Sequence, residues 1–205
     1  MTRFEKFVEM LREEVPVEIR FKDESSLMKY LNLFLGKLSP TFMTHFTTTI
    51  GYTVYFPSRE YVLKKEDLAL RILAHEAVHL LDAKKYSKIL FSMAYLAPQI
   101  FVLGVFSFPW LGYWALLFLV CALPLPSPSR YYLETRGYVM NWITHPLEDA
   151  QADLYLKYFI GWDYYKMYPF RKAVIQKLHF WKNKIQKKED RILNKVLDMY
   201  AMINN

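Results

Sequence analysis

The segment HEAVH, residues 75–79, carries the residue types and the spacing of a hydrolytic metal site. On an α-helix, His75 and His79 lie about 40° apart around the axis and about 6 Å apart along it, so both imidazoles point toward one spot. Glu76 lies beside that spot, where a carboxylate can take a proton from water. We therefore predict one zinc ion per chain, with His75 and His79 as ligands and Glu76 as the general base.

A third ligand has to come from another part of the chain. The extended motif HExxHxxGxxH is excluded, because Asp82 and Lys85 stand where it requires glycine and a third histidine. Glu134, in the segment YYLETRGY, is the first choice for a His2Glu site. Glu148 and Asp149 are the alternatives, because the run from Asp149 resembles the ExxAD segment of several zinc proteases, with Asp in place of Glu.

Four further side chains are candidates for supporting roles. Asp82 lies on the same helix face as the histidines, so it either accepts the far N–H of a ligand imidazole or pairs with Arg136. Tyr138, one turn beyond Glu134, and His145, at a helix end, are the candidates to stabilise the oxyanion of a tetrahedral intermediate.

Hydrophobic periodicity outlines the elements that carry these residues. Residues 2–14 have the spacing of an amphipathic helix, residues 17–21 alternate like a strand, and residues 41–57 are rich in strand-forming types. A helix that begins near residue 65 carries HExxH, and further helices follow residue 130. These elements predict an α+β fold that is mostly helical with a small sheet.

The strand before the HExxH helix has a predicted role in substrate binding. We expect the segment IGYTVYFPSR, residues 50–59, to be the sheet edge that borders the active-site helix. An exposed sheet edge can pair with the backbone of an extended peptide. Tyr52, Val54 and Tyr55 are the residues expected to contact the substrate there.

An uncharged run of 41 residues, Ile89 to Ser129, separates HExxH from Glu134. Because His79 and Glu134 have to meet at one metal ion, the chain must return to the side from which it left. The run therefore predicts an apolar helical hairpin, residues 89–129, with its turn near Pro109. It is inserted between an N-terminal subdomain with the sheet and HExxH, residues 1–88, and a helical subdomain, residues 130–205.

The hairpin and its flanking charges predict membrane attachment. Its first leg, residues 89–108, would be about 30 Å long as an α-helix, the thickness of a bilayer core, but the second leg is too short to span. Lysines before the run and Arg130 after it resemble the cytoplasmic ends of spans. We expect a shallow hairpin that dips into the membrane, with the site on the cytoplasmic face. The alternative is a hairpin that folds onto the protein body or an oligomer partner.

Charge and cysteine content restrict the other function classes. The net charge of +7 is carried by residues 171–195, which hold nine Lys or Arg against two acidic residues. We expect this basic segment to lie near anionic lipid and not to bind nucleic acid, because its aromatic residues do not form an interleaved stacking pattern. The single Cys121 excludes an internal disulfide, and the charged amphipathic N-terminus is not typical of a secretory signal.

HExxH followed by a glutamate on a second helix is the pattern of the gluzincin-type zinc peptidases, and this chain resembles a minimal member. Five segments resemble small zinc peptidases encoded in tailed-phage genomes, over roughly residues 40–170: TTTIGYTVYFPSR, LAHEAVHLLDA, the apolar run, YLETRGY and GWDYYKMYPF. The resemblance implies a zincin-like fold and a zinc ion on His75, His79 and Glu134. The apolar insertion departs from soluble minimal gluzincins and is similar to integral-membrane zinc proteases of the CAAX-prenyl-protease and heat-shock type.

The expected activity is zinc-dependent hydrolysis of peptide bonds in a peptide or protein substrate, at the membrane or in a phage particle. The alternative is a phage structural or membrane-active protein whose zinc site only stabilises the fold. An open fourth coordination position favours catalysis, and a closed four-ligand site favours the structural alternative.

Overall fold

The computed structural model describes residues 1–38, 41–145, 152–162 and 166–204. The described chain is mostly helical with one small sheet, which confirms the α+β class. Three strands form the sheet: β1 (Glu18–Phe21), β2 (Thr48–Ile50) and β3 (Thr53–Phe56). The α-helices are α1 (Arg3–Glu14), α2 (Ser26–Leu38), α3 (Arg59–Lys64), α4 (Glu66–Tyr86), α5 (Lys88–Leu96), α6 (Phe108–Leu111), α7 (Pro128–Ile143), α8 (Leu156–Ile160), α9 (Arg171–Gln186) and α10 (Arg191–Met202).

The order of strands corrects the prediction of the sheet edge. β3 lies in the centre, parallel to β1 on one side and antiparallel to β2 on the other. Val54 and Tyr55 belong to β3 and are buried, and Tyr52 lies in the turn before it. The prediction that this strand borders the cleft as an edge is therefore wrong, because both of its backbone edges are already paired. The edge strand near the HExxH helix is β2.

The core gathers around α4, the helix that carries HExxH. Its apolar face (Leu70, Leu73, Ala74, Ala77 and Val78) is completely buried in one cluster with side chains of α1, β3, α7, α9 and α10. The predicted N-terminal and C-terminal subdomains therefore share a single core. Because α4 packs lengthwise on α7, residues of HExxH are brought against the YLETRGY segment.

The apolar run folds back on itself. Two 3₁₀ segments, Gln99–Ser107 and Gly112–Ala122, lie side by side and are joined by the short helix α6. The amide of Gln99 donates to the carbonyls of Leu123 and Leu125, both at 3.5 Å, which closes the open end. We call residues 99–122 the apolar hairpin.

By length and composition, Gln99–Ala122 is the one helical segment of the described chain that could cross a membrane. In a single straight helix, however, Gln99 and Leu123 would lie about 36 Å apart. The contact between them shows that the segment forms two short legs.

Candidate metal centre

Three buried side chains from α4 and α7 converge on one point. Nε2 of His75 lies 3.0 Å from Nε2 of His79, and Oε2 of Glu134 lies 3.3 Å and 4.0 Å from these two atoms. In a tetrahedral site with metal–nitrogen bonds of about 2.0–2.1 Å, ligand atoms are separated by about 3.4 Å. The three atoms are close to this spacing, and the buried Oε2 of Glu134 has no partner among the described residues other than the two imidazoles. The group could therefore hold a metal ion.

Gly137 makes the approach of the two helices possible. A Cβ atom at this position would lie 2.5 Å from Nε2 of His75 and 2.7 Å from two carbons of the ring. The backbone of α7 therefore forms one wall of the space that the imidazole occupies. Tyr138 packs edge-on against the same ring, with centroids 4.6 Å apart.

Asn141 holds the outer nitrogen of His75. Its Nδ2 lies 3.3 Å from Nδ1 of the imidazole, and its Oδ1 has no hydrogen-bond partner within the described ranges. Rotation of this amide by 180° exchanges the two atoms and lets Oδ1 accept the Nδ1–H. That arrangement leaves Nε2 of His75 free to bind a metal, and such outer hydrogen bonds orient metal-bound histidines in general.

The protonation states of the three ligands are close to those that metal binding requires. Burial lowers the pKa of His79 to about 3, so this imidazole is neutral. Burial alone would raise the pKa of Glu134, but His75, His79 and Tyr95 together lower it to about 2. Burial also lowers the pKa of His75, but the hydrogen bond and charge of Glu134 outweigh it and raise the pKa overall.

Glu76 lies beside the ligand group and is oriented by the edge strand. The hydroxyl of Thr49, on β2, donates to Oε2 of Glu76 at 2.7 Å. Burial raises the pKa of Glu76 above its ordinary value, and this outweighs the opposing effects of His75 and Thr49. A carboxylate with a raised pKa is a stronger base, which is the property that proton abstraction from water requires.

A cleft of about 690 Å³ opens onto these residues. Its walls include the segment from Phe46 to Gly51, one face of α5, and Arg130 at the start of α7. Glu76 and the three candidate ligands all line it. The site is therefore accessible to a substrate from this side although its ligand atoms are buried.

Tyr95, on α5, contacts the ligand group from the cleft side. Its hydroxyl donates to Oε1 of Glu134, and its ring lies 6.1 Å from that of His79. The guanidinium of Arg130 lies 4.9 Å above the Tyr95 ring. Residues at the start of the predicted apolar insertion therefore form part of the site.

The structure places the two predicted oxyanion-stabilising residues outside the cleft. Tyr138 lies in the core, where its ring stacks on Tyr158 at 4.9 Å and contacts Phe159. It supports His75 from behind instead of facing a substrate. His145 follows the last turn of α7 and is not among the residues that line the cleft. The prediction for Tyr138 is wrong in position because side chains of α8 cover this turn of α7, and the prediction for His145 is wrong because it lies outside the cleft wall.

Asp82 adopts the second of its two predicted arrangements. It forms a bidentate pair with Arg136, at 2.8 and 3.1 Å, and Arg136 also binds Asp190 at 2.6 Å. Asp190 is in turn the N-cap of α10. This buried group joins α4, α7 and α10 below the candidate metal site.

Sequence reasoning missed three residues: Thr49, Tyr95 and Asn141. Asn141 is one helical turn beyond Gly137, so its position could be deduced once α7 was known to face His75. Thr49 and Tyr95 belong to segments with no local signal for the site. The alternative ligands Glu148 and Asp149 lie outside the described residues.

Comparison with protein-family models, with curated proteins and with solved structures finds no match for this chain.

Proposed function

We propose that this protein is a zinc-dependent endopeptidase of the gluzincin type, with a zincin-like core. The observation that carries the proposal is the convergence of His75, His79 and Glu134 at metal-ligand spacing, with Glu76 beside them in an open cleft. α4 supplies the two histidines and Glu76, and α7 packs against α4 and supplies Glu134. This is the arrangement that the HExxH-plus-glutamate pattern requires.

The ligand set favours zinc among the divalent metals. Two imidazoles and one carboxylate are typical of catalytic zinc sites, whereas calcium and magnesium prefer all-oxygen sites. A zinc ion held here would act as a Lewis acid and lower the pKa of its bound water toward about 7. Within the described part of the chain no fourth His, Cys, Asp or Glu joins the group, which supports a catalytic site over a purely structural one.

Glu76 performs the proton transfers in this proposal. It takes a proton from the water whose oxygen attacks the carbonyl carbon of the scissile bond. It then gives this proton to the leaving amine nitrogen as the carbon–nitrogen bond breaks. The hydrogen bond from Thr49 holds Oε2 of Glu76 and leaves Oε1 to accept the proton.

Tyr95 takes the oxyanion-stabilising role that the sequence predicted for Tyr138 or His145. Its hydroxyl lies at the ligand group and on the cleft wall, so its single proton, which is donated to Oε1 of Glu134 in the free protein, can be redirected to the oxygen of the former carbonyl. β2 takes the substrate-binding role predicted for β3. Thr48 to Ile50 line the cleft and form an edge strand, which can pair with the backbone of an extended peptide.

Glu76→Gln tests the proposal most directly. The amide keeps the size of the side chain but cannot accept the proton, so hydrolysis of casein or a peptide library should fall by about 100-fold or more while zinc is retained. Asp67→Asn is the matched control, because Asp67 lies on the same helix at the surface. Equal loss of zinc in His75→Ala and His79→Ala completes the test. A Glu76→Gln protein that cleaves as fast as the wild type would contradict the assigned role.

A further inference from the structure

The apolar hairpin and α5 expose an unusual amount of hydrophobic surface. More than half of the exposed large apolar side chains of the described residues lie between Ile89 and Leu123, a sixth of the chain. At the turn, Trp110 and Tyr113 are 82% exposed and Trp114 is 75% exposed. Of residues 99–122 only Ala115 is buried. The exposed apolar area is on the order of 1,500 Å², well beyond the patches of soluble monomers.

Four polar side chains in and next to this region donate to its own backbone. Ser107 donates to the carbonyl of Gly104, Ser127 to that of Ala97, and Ser129 to that of Ala94. Gln99 donates across the open end of the hairpin. A protein partner is usually bound through hydrogen bonds at a polar rim. Hydrocarbon contains no water to accept these hydrogen bonds. Side-chain donors in a membrane therefore have to pair with carbonyls of the same segment, as they do here.

Positive charges lie at both ends of the uncharged run, and none lies on the two legs of the hairpin. Lys84, Lys85 and Lys88 precede the uncharged run, and Arg130 follows it. This distribution complements a surface of anionic lipid headgroups that the legs pass through. The expectation that the basic segment 171–195 lies near anionic lipid stays a prediction.

We infer that the apolar hairpin inserts into a lipid bilayer and leaves it on the side from which it entered. At about 2.0 Å per residue, the legs are about 18 and 22 Å long, so they reach beyond the midplane of a core of about 30 Å without crossing it. α5 joins the hairpin to the cleft and supplies Phe91 and Tyr95 to its wall. The cleft therefore lies at the lipid surface.

The position of the cleft indicates a substrate class, which rests on the proposed peptidase function. A cleft at the headgroup level receives extended polypeptide segments that emerge from the membrane or are tethered to it by an acyl chain. Such tethering raises the local concentration of substrate at the site, because binding becomes confined to the surface.

Flotation of the purified full-length protein with lipid vesicles tests insertion without any catalytic readout. The protein should float with phosphatidylcholine vesicles, more completely when phosphatidylserine is added, and remain bound in high salt and in carbonate. The triple variant Leu103→Glu, Phe106→Glu and Leu117→Glu changes outward-facing leg residues, and each carboxylate should lower partitioning on the order of 100-fold. Leu63→Glu, at an equally exposed site on α3, is the control and should float like the wild type.

A second measurement keeps the inference testable if the triple variant fails to fold. Brominated lipids should quench the fluorescence of the wild type, and Trp110→Phe with Trp114→Phe should remove most of that quenching. Wild-type protein that stays unbound, as a monomer or as a stable dimer, would overturn insertion whatever its activity. If it floats but cleaves a palmitoylated quenched peptide on vesicles no faster than the free peptide, the substrate class is wrong. If it floats and cleaves neither, the peptidase function fails and insertion stands.

Discussion

Gly137→Ala is the most informative single substitution, because it adds one methyl group against the candidate ligand His75. The new Cβ would lie 2.5 Å from Nε2 and 2.7 Å from Cδ2 and Cε1 of the ring. Favourable contacts between such atoms begin at about 3.5 Å, so the ring or α7 must retreat by about 1 Å. The ring has little room, because Tyr138 packs against it and Asn141 contacts its outer nitrogen.

The expected result is weaker metal binding without a loss of helix stability. Metal–ligand distances tolerate deviations of only about 0.2 Å, so a shift near 1 Å should reduce zinc affinity about 100-fold and activity at least as much. Alanine is a better helix former than glycine by about 1 kcal/mol, so the metal-free variant should lose little stability. A variant that loses zinc affinity but keeps the stability of its metal-free form has a local clash. A variant that loses both is generally destabilised.

Competition with a chromophoric zinc chelator measures the affinity, and urea unfolding in excess chelator measures the stability of the metal-free chain. A double-mutant cycle with His75→Ala supplies the control, because the clash disappears when the ring is absent. In that background Gly137→Ala should have no effect on residual zinc binding. A Gly137→Ala protein with wild-type zinc affinity would refute the argument that this imidazole binds the metal against α7.

Three further substitutions test separate parts of the structure. Tyr95→Phe should keep its zinc but lower kcat by about 100-fold in steady-state assays, and an unchanged kcat would exclude the hydroxyl from oxyanion stabilisation. Asp82→Ala leaves the buried Arg136 with Asp190 alone and should lower the free energy of unfolding in urea by about 3 kcal/mol. Burial lowers the pKa of Lys22 to about 7 from an ordinary 10.5, so between these pH values the unfolded chain binds more protons than the folded one. The unfolding free energy of the wild type, relative to Lys22→Met, should therefore rise with pH across that window, and a constant difference would contradict it.

The local part of the site follows from the sequence. The placement of His75, Glu76 and His79 on one helix face depends only on helical geometry and on the apolar face of α4. The return of the chain after the uncharged run also follows, because two residues that must meet cannot lie at opposite ends of a single span. The first inference needs only the residues of one helix. The second needs only two residues that have to meet.

The assignment of strands required the tertiary structure. Both the 48–50 and the 53–56 segments have strand-forming residues, and nothing in either one specifies a central or an edge position. β3 is central because β1, more than 30 residues earlier in the chain, pairs with its second edge. The proposed substrate-binding strand is therefore β2, in place of Tyr52, Val54 and Tyr55.

The residues around the candidate metal site also include some that sequence can place and some that it cannot. Helical periodicity places Glu134 and Tyr138 on one face of α7, but it does not say which element covers each turn of that face. The packing of α4 leaves Glu134 at the cleft, and α8 covers Tyr138. Tyr95 reaches Glu134 only because the hairpin returns the chain to its starting side. Hydrogen bonds within a helix connect residues four apart and can be deduced from sequence, whereas contacts between Tyr95, Thr49 and the ligand helices depend on how all the elements pack together.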